Sequence, residues 1–78
     1  MNRADEIDRE LRALKRHADM LTAMREHVRI LAHHYRELNL DADEADIAKE
    51  LREIETELAR VEQRTRDLLI EAADDDNL

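Results

Sequence analysis

Glycine, proline, cysteine, serine, tryptophan and phenylalanine are all missing from this 78-residue chain, and Tyr35 is its one aromatic residue. Each absence excludes something. Without Gly and Pro the chain has few means of making tight turns, because those residues supply the backbone angles that turns require. β-sheets need many turns and draw on aromatic and β-branched side chains; one Tyr, two Val and three Thr are too few to line one. Without Cys there are no disulfides, no thiolate chemistry and no cysteine zinc sites. Without Ser, the only aliphatic hydroxyls are those of Thr22, Thr56 and Thr65, so nucleophilic catalysis has little material. A chain lacking Gly also has no Gly-rich loop to cradle a phosphate. There is no run of ~18 apolar residues, so no membrane span is expected. Met1-Asn2-Arg3-Ala4-Asp5-Glu6 lacks the apolar core of a secretory signal, and the expected location is cytoplasmic.

What is present is charge, Leu and Ala. Charged residues make up 44% of the chain, the composition of long helices and coiled coils. The net charge of −8 is unevenly placed. Residues 1–40 carry eight Arg/Lys against seven Asp/Glu, which leaves +1, together with all four His. Residues 41–78 carry five Arg/Lys against fourteen Asp/Glu, which leaves −9. The two halves should attract each other, and the acidic half should repel nucleic acid.

The apolar residues of the first half are Ile7, Leu11, Leu14, Ala18, Leu21, Met24, Val28, Leu31, Tyr35 and Leu38. Their spacing of three and four predicts a helix over about 3–38. One short step, from Leu21 to Met24, keeps Arg25 off the seam in this reading. Asn2 is placed to cap the helix, with Asp5 three residues on and acidic residues in the first turn. The second half repeats apolar or small residues at Ile47, Leu51, Ile54, Leu58, Val61, Thr65, Leu68 and Ala72. That unbroken heptad row predicts a second helix over about 42–73. Asp41 and Glu44 form a capping-box pattern at its start, and Leu40 is placed to staple against its first turn. Asp74-Asp75-Asp76-Asn77-Leu78 opposes the helix dipole and should fray.

Only 39–41 separates the two rows, so the helices must fold back on each other. The register agrees. Tyr35 with Ile47, Leu31 with Leu51, Val28 with Ile54, Met24 with Leu58, Leu21 with Val61 and Leu14 with Leu68 all have numbers summing to 82. The expected fold is an all-α antiparallel helical hairpin forming a single domain over 1–73, followed by a frayed acidic tail at 74–78. Two helices alone leave the flanks of their seams wet, and chains of this size seldom stabilise without help. Dimerisation into a four-helix bundle would cover them. Its self-association core would be Leu14, Leu21, Met24, Val28, Leu31, Tyr35, Ile47, Leu51, Ile54, Leu58, Val61 and Leu68. A second, weaker stripe on helix 1, Met20, Ala23, His27, Ile30 and His34, is the candidate surface for a protein partner.

The stretch Leu40-Asp41-Ala42-Asp43-Glu44-Ala45-Asp46-Ile47 resembles the inter-helix turn of the Rop (repressor of primer) family, with one residue fewer between the Glu and the Ala. The resemblance covers about eight residues, and the acidic ending is similar in character. It implies a hairpin that dimerises into a four-helix bundle. The family binds RNA through helix 1, using basic and amide side chains and an exposed Phe. This chain has no Phe, and the resemblance assigns RNA binding to none of its residues.

Other constellations are weaker. His33 and Glu37 are four apart and could hold a metal ion together, and His27 and His34 share a face. No Glu-x-x-His pair occurs, so the di-iron bundle signature is missing. No metal site and no cofactor are expected. His17 lies in line with Met24 and Leu31, beside the core. Thr65 on the second seam, opposite Ala18, reads as a packing layer whose hydroxyl bonds its own helix. Glu50, Glu53 and Glu57 sit on an open helix surface that cannot raise a carboxyl pKa. Arg9, Arg12, Lys15, Arg16, Arg29 and Arg36 alternate with acids, which predicts ion pairs on a solvated face. The sequence therefore points to a non-enzymatic interaction or regulatory protein, a homodimer that could engage a protein partner. The alternatives it leaves open are an RNA-binding modulator acting through helix 1 and an acidic mimic of nucleic acid acting through helix 2.

Overall fold

The computed structural model describes residues 2–38 and 41–76, apart from the side chains of 41–43 and 75–76. Two helices account for nearly all of it: α1, Arg3–Glu37, and α2, Asp41–Asp76. No strand occurs among the described residues. Of the expected link at 39–41, Asp41 is placed in α2; residues 39–40 with the Leu40 staple, and Asn77-Leu78, fall outside the described residues, as does the side chain of Asp41 as a cap.

α1 starts where the sequence places it. The Asn2 side-chain oxygen accepts from the Asp5 backbone N–H at 2.9 Å, and Asp5 and Glu6 occupy the first turn. The helix ends on Leu38, whose N–H donates to the His34 carbonyl at 3.1 Å. α2 differs from expectation at its far end. It runs to Asp76 instead of stopping near 73. No Gly or Pro stands there to break the ladder. Asp lowers helix propensity by only a fraction of a kcal/mol, about 0.7 at most.

The helices pack antiparallel, as the ion pairs between them demonstrate. Arg3 meets Glu71, Glu10 meets Arg64, Arg29 meets Glu55 and Arg36 meets Glu44, so one number falls as the other rises. The result is a rod 60 Å long and only 15 by 14 Å across. Its buried side chains are Ile7, Leu21 and Val28 from α1 and Ile54, Leu58, Val61 and Leu68 from α2. Leu21, Val28, Ile54, Leu58 and Val61 form one cluster, with Leu14, Ala18, Ile47 and Leu51 packed against it. Among the described residues no polar side chain is buried.

The α2 seam keeps the spacing read from the sequence. The α1 seam does not. Its buried row is Ile7, Leu14, Leu21 and Val28, continued by half-buried Tyr35, with half-buried Leu11, Ala18, Arg25 and Ala32 on one side and half-buried Glu10, His17 and Leu31 on the other. Arg25 is thus half-buried in the row with Leu11, Ala18 and Ala32, whereas Met24 is 42% exposed. Two long helices wound on each other hold the seven-residue period, which a three-residue step would break. An Arg can satisfy that period because its aliphatic stem lies on apolar surface while the guanidinium stays in water.

Candidate interaction surfaces

A hairpin of two helices has two broad faces, one on each side of its seam. Helical periodicity assigns residues to them. On α1 the row Ile7, Leu14, Leu21, Val28 and Tyr35 points at α2. Arg3, Glu10, His17, Met24 and Leu31 flank it on one side, and Leu11, Ala18, Arg25 and Ala32 on the other. On α2 the corresponding flanks are Glu50, Glu57, Arg64 and Glu71, and Ala48, Glu55, Glu62 and Leu69.

The first face is crossed by two bidentate ion pairs. Arg3 donates through Nε and Nη2 to both carboxylate oxygens of Glu71, at 2.8 and 2.9 Å. Arg64 does the same to Glu10, at 2.9 and 3.3 Å. Hydrogen bonding from Arg3 holds the Glu71 carboxyl below its ordinary value, and the same bond raises the Arg3 guanidinium. The bond to Glu10 likewise raises Arg64. Sequence reading missed these clasps. Their signal was charge of opposite sign at the two seam flanks, legible only once the register was known. Farther along this face, Met20, Ala23, Met24 and His27 border an open depression of about 320 Å³, closed on the α2 side by Glu50.

The second face sets apolar and small side chains beside charged ones, and nearer the turn it is crossed by the Arg29–Glu55 and Arg36–Glu44 pairs, at 3.9 and 3.4 Å. Leu11, Leu14 and Ala18 gather with Val61, Thr65 and Leu69 around an open groove of about 540 Å³. Lys15 borders it on α1, and Glu62 and Arg66 on α2. Toward the turn, Ala32, Ile47, Ala48 and Leu51 line a smaller hollow beside the Arg36–Glu44 pair. Thr65 and Ala18 share the larger groove, and the Thr65 hydroxyl donates to the Val61 carbonyl at 2.8 Å. Thr22 and Thr56 bond the carbonyls of Ala18 and Arg52 in the same manner. All three hydroxyls are thus engaged with their own helices.

The stripe singled out for a partner lies wholly at the surface. Met20 is 53% and Ile30 49% exposed, and Ala23, His27 and His34 are exposed as well. Of the residues assigned to a self-association core, Leu21, Val28, Ile54, Leu58, Val61 and Leu68 are buried within the hairpin itself. Leu14, Leu31, Tyr35, Ile47 and Leu51 are half-buried. Met24, expected on the seam, stands exposed on the first flank, while Arg25 is half-buried on the opposite one.

The histidines do not converge. His17 is half-buried beside the seam, and His27, His33 and His34 are exposed. His33 Nε2 lies 3.1 Å from a Glu37 carboxylate oxygen, a pair one helical turn apart. Among the described residues no three His, Asp or Glu side chains are placed to hold one metal ion. The basic residues of α1 are largely drawn into ion pairs: Arg12 with Asp8, Lys15 with Asp19, and Arg3, Arg29 and Arg36 with α2. No described helix is long and apolar enough to cross a membrane. Comparison with protein-family models, with curated proteins and with solved structures gave no match for this chain.

Proposed function

We propose that the chain works as a non-enzymatic interaction module, in which two hairpins associate into a four-helix bundle whose outer surface engages a protein partner. The observation that carries the proposal is the area the hairpin leaves exposed. A compact monomer of 9.2 kDa should expose roughly 4,900 Å². This chain exposes 6082 Å², an excess of ~1,200 Å² that surpasses the ~800 Å² each partner buries in a standard interface. The excess is apolar in part: Met20, Met24, Ile30, Leu69 and Ile70 are large side chains left in water. Such patches mark contact surfaces, and nothing in the open faces of a rod encloses a substrate as a catalytic cleft must.

Sedimentation equilibrium at micromolar concentration tests the association. A mass near twice that of the chain is expected. A concentration-independent monomer would remove the proposal.

A further inference from the structure

We infer that a second copy of this chain docks on the face carrying Leu11, Ala18, Arg25 and Leu69, with α1 of each protomer lying over α2 of the other. The inference rests on the four-helix reading above and specifies its geometry. Three observations bear on it.

The two faces differ in what crosses the seam at the end away from the turn, whereas nearer the turn the second face carries the longer, single-contact pairs Arg29–Glu55 and Arg36–Glu44, at 3.9 and 3.4 Å. On the first, the Arg3–Glu71 and Glu10–Arg64 clasps span from helix to helix and cap the seam with charge. At the same height on the second face the seam lies open as the larger apolar groove. Desolvating two exposed bidentate ion pairs to bury the first face would be costly, while the groove is mainly apolar, with Lys15, Glu62 and Arg66 at its border.

The second observation is side-chain size. Ala18, Ala32 and Ala48 lie on the second face. Interaxial distance is set by the side chains at the contact, about 8–10 Å for packed helices, and alanines allow the near end of that range.

The third is charge. The α1 edge of this face carries Lys15, Arg29 and Arg36, and the α2 edge carries Glu44, Glu55 and Glu62 against the single cation Arg66. Docking α1 on the partner's α1 would oppose cation to cation, and α2 on α2 would oppose Glu to Glu. The crossed arrangement sets each edge against its opposite. In a two-fold dimer the crossed arrangement requires an axis parallel to the helices, so both turns lie at one end and every residue keeps its height. Arg25, half-buried with no ion-pair partner among the described residues, then finds an acid. Glu55 already reaches Arg29 in its own chain, at 3.9 Å, which places it within a turn of Arg25's height. In the bundle the partner's Glu55 stands beside Arg25.

Two measurements test this. Leu69→Glu and Met24→Glu alter residues 53% and 42% exposed in the hairpin, so both variants should fold, which their helical circular dichroism would verify. In sedimentation, Leu69→Glu should weaken dimerisation at least about tenfold, because a carboxylate enters an apolar strip. Met24→Glu should leave it at the wild-type value. The reverse pattern overturns the assigned face while leaving the dimer in place. A monomeric wild type overturns the four-helix reading itself. The arrangement is read separately from a nitroxide on Leu38→Cys, the only cysteine in the chain. Turns at one end give an interprotomer distance under ~30 Å, since packed helices lie ~10 Å apart. A distance of about 50 Å, the length of a helix of this size, overturns the crossed pairing.

Discussion

Leu68 has no solvent exposure, and Ile54 keeps only a few per cent of its own. Both are aliphatic, and neither has a neighbouring loop that could collapse into a void. Leu68→Ala and Ile54→Ala should each lower stability by about 2–4 kcal/mol per chain, the range for buried aliphatic truncations. Glu53→Ala, an exposed position one residue before Ile54, should change little. Chemical denaturation reads all three, and equal effects would contradict the seam. Glu71 makes a different kind of contribution. Its carboxyl is depressed in the folded hairpin by the Arg3 bond. Its stabilisation is therefore present above the ordinary carboxylate value of 4.5 and is lost as pH falls through the lower folded value. Glu71→Gln should flatten the acid limb of a stability–pH profile below that value while keeping the neutral fold. Because the group is exposed, the change should be small. Ile30→Glu probes the outer stripe. Loss of partner capture with the dimer intact is expected, and loss of the dimer would assign Ile30 to self-association instead.

The helices themselves were legible in the sequence because each carries one strong signal, an apolar repeat of three and four over some thirty residues. The α2 seam, Ile47 to Ala72, needed nothing more. At α1 two signals conflicted between Leu21 and Val28. Residue chemistry favoured Met24, periodicity favoured Arg25, and in a pair of long helices periodicity prevails. A side chain as long as Arg can hide its stem, so its charge was a poor guide to its position. The candidate surface stripe was read correctly as lying off the seam. The clasps across the first face were not legible, since they join residues 54 and 68 positions apart. The end of α2 was judged from electrostatics alone, which weakens a helix terminus without halting it. It follows that Asp74→Lys, which turns an adverse charge into a favourable one in the last turns, should stabilise α2 by about 0.3–1 kcal/mol. Greater amide protection over the final turns would register the gain, and unchanged protection would argue that the acidic run does not weaken that end.

At the scale of the whole molecule, the proposed association ties stability to a second copy of the chain. A rod 15 by 14 Å across has no interior beyond a single seam, so in the proposed dimer a second hairpin would supply most of what a core does. Thermal unfolding should accordingly depend on protein concentration, the midpoint rising as the protein is concentrated. A midpoint constant over a hundredfold range would show a self-sufficient monomer. The charge division between the halves belongs to this scale too. The near-neutral α1 and the acidic α2 attract within one chain, and in the proposed dimer the same asymmetry would favour α1 over the partner's α2.

Of the ion pairs between the helices, the Arg3–Glu71 clasp lies farthest from the turn. Made first, in an unfolded chain, it would enclose nearly the whole polypeptide and forfeit the corresponding loop entropy. Made last, after the seam has zipped from Tyr35 and Ile47 outward, it closes only a few further residues. The hairpin thus has a built-in direction of assembly, turn first and termini last, and its opening runs the other way. The end carrying Arg3 and Glu71 is where transient unzipping starts, with the exposed pair a small addition to the burial of Ile7 and Leu68 that holds it.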